Sequence, residues 1–220
     1  MYVLLISSIS HTTSSNDSLE PATAQVYCGI VAGLSIISLT TIFLPVSGAH
    51  LNPCITLASC LTKRITPARA LGHVLAQCGG SVAGASVVLG IRGSVIHFQS
   101  VSVSHFGLEF LLSFMIGLVY LRVTDVSVQI QYNPSLPIGL SYMAALTSYK
   151  GAVNPALALG QAFVANRFTM HWIFWVGPLL GGACAALSHE YIFDNAEDTL
   201  VETTSKQEGN HKESEESEKE

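Results

Sequence analysis

Charged residues are scarce in this chain. They make up 11% of its 220 residues, against 49% hydrophobic, and the mean hydropathy is +0.45. Soluble domains carry about 25% charged residues, so the deficit excludes an ordinary soluble globule and points to a membrane protein. The five cysteines, Cys28, Cys54, Cys60, Cys78 and Cys184, include no Cys-x-x-Cys pair and no neighbouring ligand set, so neither a disulfide framework nor a zinc site is suggested. No phosphate-binding loop and no basic patch is present, so neither a nucleotide cofactor nor a nucleic-acid partner is expected. Eight histidines, scattered serines and few acids form no nucleophile–base or metal-ligand pattern. The expectation is therefore no enzyme, no catalytic residue, no cofactor and no metal.

The charge that exists is unevenly placed. Residues 194–220 hold ten acidic residues and three lysines, a net of −7, which leaves seven basic and five acidic residues for the rest. That tail lacks the apolar content to offset chain entropy and reads as a solvated, disordered cytoplasmic extension. Residues 1–193 then form the membrane unit.

Three uncharged apolar runs, 26–44, 71–91 and 170–187, approach the roughly 20 residues that a helix needs to cross a bilayer. The first ends at Pro45, and the third carries Trp172 and Trp175 near its start, where an interfacial aromatic belt falls. Two weaker segments follow the same pattern: 106–121, apolar except for Glu109, and the short 136–147. Residues 1–9 are apolar but too short to span, and lack the basic flank of a signal peptide. Gly80 and Gly84, like Gly177 and Gly181, have the four-residue spacing that lets helices approach closely in lipid. If the first Asn-Pro segment enters from the cytoplasm, Lys63, Arg64, Arg69 and Arg122 face inward and Arg92, Lys150 and Arg167 outward. That is a faint positive-inside bias, and it puts the sequon Asn16-Asp17-Ser18 and the loop 11–25 outside.

The most informative feature is a repeat. Ser47-Gly48-Ala49-His50-Leu51-Asn52-Pro53-Cys54-Ile55-Thr56-Leu57 is matched by Tyr149-Lys150-Gly151-Ala152-Val153-Asn154-Pro155-Ala156-Leu157-Ala158-Leu159. Proline suits the first position of a helix because it has no N–H to leave unsatisfied, and asparagine before it is a good cap. Asn52 and Asn154 thus each cap a helix that begins at Pro53 or Pro155. The run 53–61 rises only about 13 Å, too short to cross, so it must dip in and return. Non-helical backbone at membrane depth is tolerated only against protein or water, so the segment before each Asn-Pro is expected to line a wet cavity. Two such half-helices meeting N-terminus to N-terminus put two positive dipole ends, each worth about half a charge, at one point. The Asn amides add donors there. Neutral hydrogen-bond acceptors are then favoured, and cations and protons meet a barrier. Sequence-related halves with opposite directions are the pattern of inverted-repeat membrane proteins. His50 lies on the approach, where it lines the path rather than merely packing, and Glu109 is expected to pair with loop backbone inside the bundle, because an intramembrane acid needs such a partner.

These residues resemble the aquaporin (major intrinsic protein) family. Besides the two Asn-Pro copies, Thr66-Pro67-Ala68-Arg69-Ala70 leading to Ala76-Gln77-Cys78-Gly79-Gly80 resembles the family's third helix. Phe106-Gly107-Leu108-Glu109-Phe110-Leu111-Leu112 and Val123-Thr124-Asp125 resemble the start and end of the fourth. His171-Trp172 through Trp175-Val176-Gly177-Pro178-Leu179-Leu180-Gly181-Gly182 resembles the sixth. The resemblance covers residues 22–193. It implies an all-α transmembrane, inverted-repeat bundle with two re-entrant half-helices, and a homotetramer with one pore per subunit in a lipid membrane. The plasma membrane is favoured over intracellular ones.

The departures from the family pattern shape the functional expectation. The first spanning helix with its Glu is mostly missing. Cys54 stands where Ala is usual, placing a thiol beside the narrow centre. Leu157 stands where an Arg usually narrows the outer mouth, and Ala32 where water-selective members carry an aromatic residue. Gly151 fills a further filter site, and the remaining one, in a short fifth helix, falls on Tyr142 or Met143. The resemblance thus implies a passive channel for water, with glycerol or other small neutral solutes. Asn52, Asn154, His50, Cys54 and Ala156 line the pore, Ala32, Gly151 and Leu157 form an apolar outer filter, and Pro53, Pro155 and Glu109 are structural. The alternatives are a truncated, non-conducting isoform or tetramer-modulating scaffold, and a cation leak permitted by the lost Arg.

Overall fold

The computed structural model describes residues 21–93, 102–125 and 133–194. Residues 1–9, the Asn16 sequon and residues 195–220 of the acidic tail lie outside the described residues. Among the described residues the chain forms seven α-helices: α1 Pro21–Ser47, α2 Pro53–Leu61, α3 Pro67–Arg92, α4 Ser104–Val123, α5 Ser135–Ser148, α6 Pro155–Ala165 and α7 Ile173–Ser188, the last continuing into a wider turn over His189–Asp194.

Several boundaries differ from the apolar runs. Helix α1 does not stop before Pro45 but carries it inside and ends at Ser47. A proline this close to the end removes one N–H, and Gly48 N still donates to Leu44 O at 3.0 Å beyond it. The run 170–187 divides: tight turns such as Ile173 N to Met170 O (3.1 Å) lead into α7, which has 16 residues. The weaker run 106–121 becomes the 20-residue α4. Among the described residues, the helices long and apolar enough to cross a membrane are therefore Gln25–Ser47, Pro67–Ile91 and Ser104–Val123. Helix α5, of 14 residues, is as short as the 136–147 run suggested.

Packing relies on close helix approach. Helix α1 lies on α5 so tightly that a Cβ at Gly33 would sit 2.7 Å from Gly139 O. Helix α7 lies on α4, where a Cβ at Gly181 would meet Phe110 O at 2.4 Å. Small residues make such contact feasible in lipid, where apolar burial gives little drive. Gly177 and Gly181 both lie against α4, but a Cβ at Gly80 meets nothing within 4 Å, because no described element covers that side of α3. The half-helices pack chiefly on α7 and α3: Gly182 of α7 abuts Cys54 of α2, and Gly160 of α6 abuts Ser81 of α3.

Polar side chains are buried beside the apolar core, and large apolar ones are turned outward. Asn52, Glu109, Ser113, Asn154 and Gln161 are buried, while Leu34, Ile42, Leu71, Leu75 and Leu111 are more than half exposed. Apolar faces of this extent turned outward call for lipid.

Candidate functional site

The site is where α2 and α6 meet. Each begins at a proline preceded by an asparagine in extended conformation, with φ −151° at both Asn52 and Asn154. Asn52 Oδ1 accepts from Cys54 N at 2.9 Å, and Asn154 Oδ1 from Ala156 N and Leu157 N at 3.1 and 3.3 Å. These are N-caps that satisfy the first free N–H groups. The same side chains then cross over. Asn52 Nδ2 donates to Val153 O at 2.7 Å, and Asn154 Nδ2 donates to Leu51 O at 2.9 Å. Each asparagine thus caps its own helix and holds the loop of the other, so the two N-termini face one another.

The two loops are braced by different chemistry. In the second, Glu109 of α4 is fully buried and its carboxylate accepts from Ala152 N (2.8 Å) and Val153 N (2.9 Å). This pair of bonds holds Val153 at φ +43°, a left-handed conformation costly for a β-branched residue. In the first, Gln77 of α3 donates to His50 O and, at 2.9 Å, to Thr56 Oγ1. Tyr120 of α4 donates to Gly48 O at 2.6 Å. The His50 ring lies 4.9 Å from that of His73 and 5.7 Å from that of Tyr120, and its Nδ1 has no hydrogen-bond partner among the described residues.

The remaining sequence-predicted residues fall around this junction. Ala32, Leu157 and Tyr142 lie in one buried apolar cluster. Gly151 stands apart against Glu109 and Tyr149, where a Cβ would come 1.8 Å from the Tyr149 ring, so only backbone fits there. Ala156 is buried beside its cap. Cys54 reaches the junction by its backbone alone, because its Sγ turns toward Ser113 O at 3.7 Å, and a Cβ at Gly182 would approach that sulfur to 2.8 Å. Of the two candidates in α5, Tyr142 points inward, its hydroxyl accepting from Asn52 Nδ2 at 2.9 Å, while Met143 packs on Gly33 of α1.

Sequence reasoning missed Gln77 and Tyr120 as braces, and the contacts of His73 with His50 and of Ser113 with Cys54. A polar Gln77 inside an uncharged run was the available signal. It also missed a cluster at the end of the bundle. Arg64 Nη2 pairs with Asp125 Oδ2 at 2.7 Å, His189 Nε2 approaches the same oxygen at 3.0 Å, and Arg64 Nη1 donates to Thr124 Oγ1 at 2.9 Å. This ties the turn after α2 to the ends of α4 and α7.

Two capped half-helices joined N-terminus to N-terminus within a helical bundle with apolar outer faces define a narrow class, and the comparison with known families agrees. The family model described as major intrinsic protein matches residues 1–189. The chain belongs to the major intrinsic protein family. That family comprises membrane channels rather than enzymes, and this chain is an integral membrane protein. It is 38% identical over 176 residues to the neurogenic protein big brain of Drosophila melanogaster, covering 76% of this chain and 25% of that protein. It is 34% identical over 181 residues to aquaporin FA-CHIP of Pelophylax lessonae, covering 76% of this chain and 66% of that one. The chain thus spans a quarter to two thirds of the length of these relatives. In fold it is similar to the X-ray structure of the aquaglyceroporin from Plasmodium falciparum, with a TM-score of 0.71 at 18% identity, covering 90% of this chain and 94% of that one.

Proposed function

We propose that this major intrinsic protein is a passive transmembrane channel for water, with glycerol and other small neutral solutes also passing. The reciprocal Asn52–Val153 and Asn154–Leu51 hydrogen bonds carry this reading, because they point two half-helix N-termini at one place. A positive potential there disfavours protons and cations, while the second amide proton of Asn154 favours neutral acceptors. Asn52 and Asn154 are the central groups. His50 lines one approach, and the backbone at Cys54 and Ala156 borders the centre. Ala32 and Leu157, with the backbone of Gly151, form an outer filter without a charge. That composition supports passage of solutes larger than water. Residues 1–193 form the channel unit and 194–220 a cytoplasmic tail. The working form is a homotetramer with one pore per subunit, in the plasma membrane.

The test is osmotic swelling of frog oocytes expressing the chain, normalised to protein at the surface, with labelled glycerol uptake alongside. Swelling well above uninjected cells is expected. Surface protein without swelling would reject the water channel.

A further inference from the structure

The two asparagines are not equivalent. Asn154 gives one amide proton to Leu51 O, and among the described residues nothing takes the other. Asn52 gives both of its protons to protein, one to Val153 O at 2.7 Å and one to the Tyr142 hydroxyl at 2.9 Å. A side-chain amide has two donors, so Asn52 has none left for a solute. Tyr142 is itself buried at 2% exposure, and Asn52 at 0%. The phenol, having accepted from Asn52, keeps its own O–H proton, for which the described residues offer no acceptor. Its inward direction is fixed by α5. A Cβ at Gly139 would meet Ile37 of α1 at 2.2 Å, and Met143 already rests on Gly33, so α5 cannot roll the ring away without backbone collision.

We propose that Tyr142 is a specificity-determining residue of the half-helix junction, its phenol holding the Asn52 donor and presenting a hydroxyl to the solute in place of an amide proton. This rests on the channel reading above. A solute that passes must displace the phenol from Asn52 or bond to it. Water, which both donates and accepts, does so within the space of one hydroxyl. A larger solute must also move the ring. Tyr142 therefore opposes the permissive effect of Ala32 and Leu157.

The experiment reconstitutes the full chain in liposomes and measures water and glycerol permeability per incorporated protein for wild type, Tyr142→Phe, Tyr142→Ala and the neighbouring control Met143→Ala. In parallel, the Asn side-chain amides are observed by NMR in nanodiscs, with transfer of magnetisation from water as the readout. The expected result is a several-fold rise in water permeability in Tyr142→Phe, a larger rise for glycerol than for water in Tyr142→Ala, and little change in Met143→Ala. Water contact at the Asn52 amide should appear in Tyr142→Phe and be absent in wild type. Unchanged permeabilities in Tyr142→Phe, or equal water contact at Asn52 in both proteins, would overturn the assignment. If no variant conducts, the channel reading falls, and the Asn52 signal alone decides whether the phenol holds that donor.

Discussion

Replacing Glu109 by alanine removes the only acceptors that Ala152 N and Val153 N have among the described residues, at 2.8 and 2.9 Å from the carboxylate. A buried donor left unpaired costs about 1–3 kcal/mol, so two cost about 2–6 kcal/mol. Val153 also loses the bonds that hold it at φ +43°, a conformation worth about 1–3 kcal/mol of strain. Against a total stability of about 5–15 kcal/mol this is a large fraction. The Asn52 bond to Val153 O should then slacken, and with it the meeting of the half-helices. Glu109→Gln keeps the volume, but its amide oxygen can serve only one N–H while its NH2 confronts the other, so an intermediate loss is expected. The assay is thermal unfolding of the purified protein in detergent, with surface delivery and swelling measured in oocytes. A marked fall for Glu109→Ala and a smaller one for Glu109→Gln are expected. Wild-type melting and wild-type swelling in Glu109→Ala would refute the claim that this carboxylate braces the loop.

Gly182→Leu should prevent delivery to the surface, because its Cβ alone would lie 2.7 Å from Cys54 O and overpacking of this kind costs about 1–3 kcal/mol or more; normal surface protein would contradict the packing of α7 on α2. Cys54→Ser should leave the response to a mercurial unchanged, since the Cys54 thiol is fully buried against α4 and α7; loss of block in that variant would show that the thiol opens to the path. Leu157→Ala should raise glycerol uptake with a stability loss below the roughly 2–5 kcal/mol of a core truncation. A loss in that range with unchanged uptake would make Leu157 packing rather than filter.

The local signals were legible and the long-range ones were not. Helices α2 and α6 begin at Pro53 and Pro155 behind asparagine caps, as the Asn-Pro pairs predict, because a cap is decided within four residues. Glu109, the acid in an otherwise apolar run, accepts from loop backbone in the way its setting required. Pro45 misled, since a proline near a helix end removes one bond without stopping the helix. The 170–187 run was uniform in composition, and composition does not separate a tight turn from the helix after it. The inward turn of Tyr142, the outward turn of the Cys54 thiol and the bracing by Gln77 depend on which face of a helix meets a distant loop, and no local rule carries that. Nor does sequence spacing reveal the Arg64–Asp125–His189 cluster, whose members come together only when the ends of α4 and α7 converge.

As proposed, the junction of Asn52 and Asn154 is where neutral solute passes and charge does not. The direct measurement is stopped-flow light scattering of liposomes holding the purified chain, with proton flux followed by an internal pH dye in the same preparation. Water permeability well above empty liposomes and proton flux no higher than theirs are expected, with the water signal lost when both asparagines are replaced by leucine. Water flux that survives the double replacement, or proton flux that rises with the wild-type protein, would contradict it.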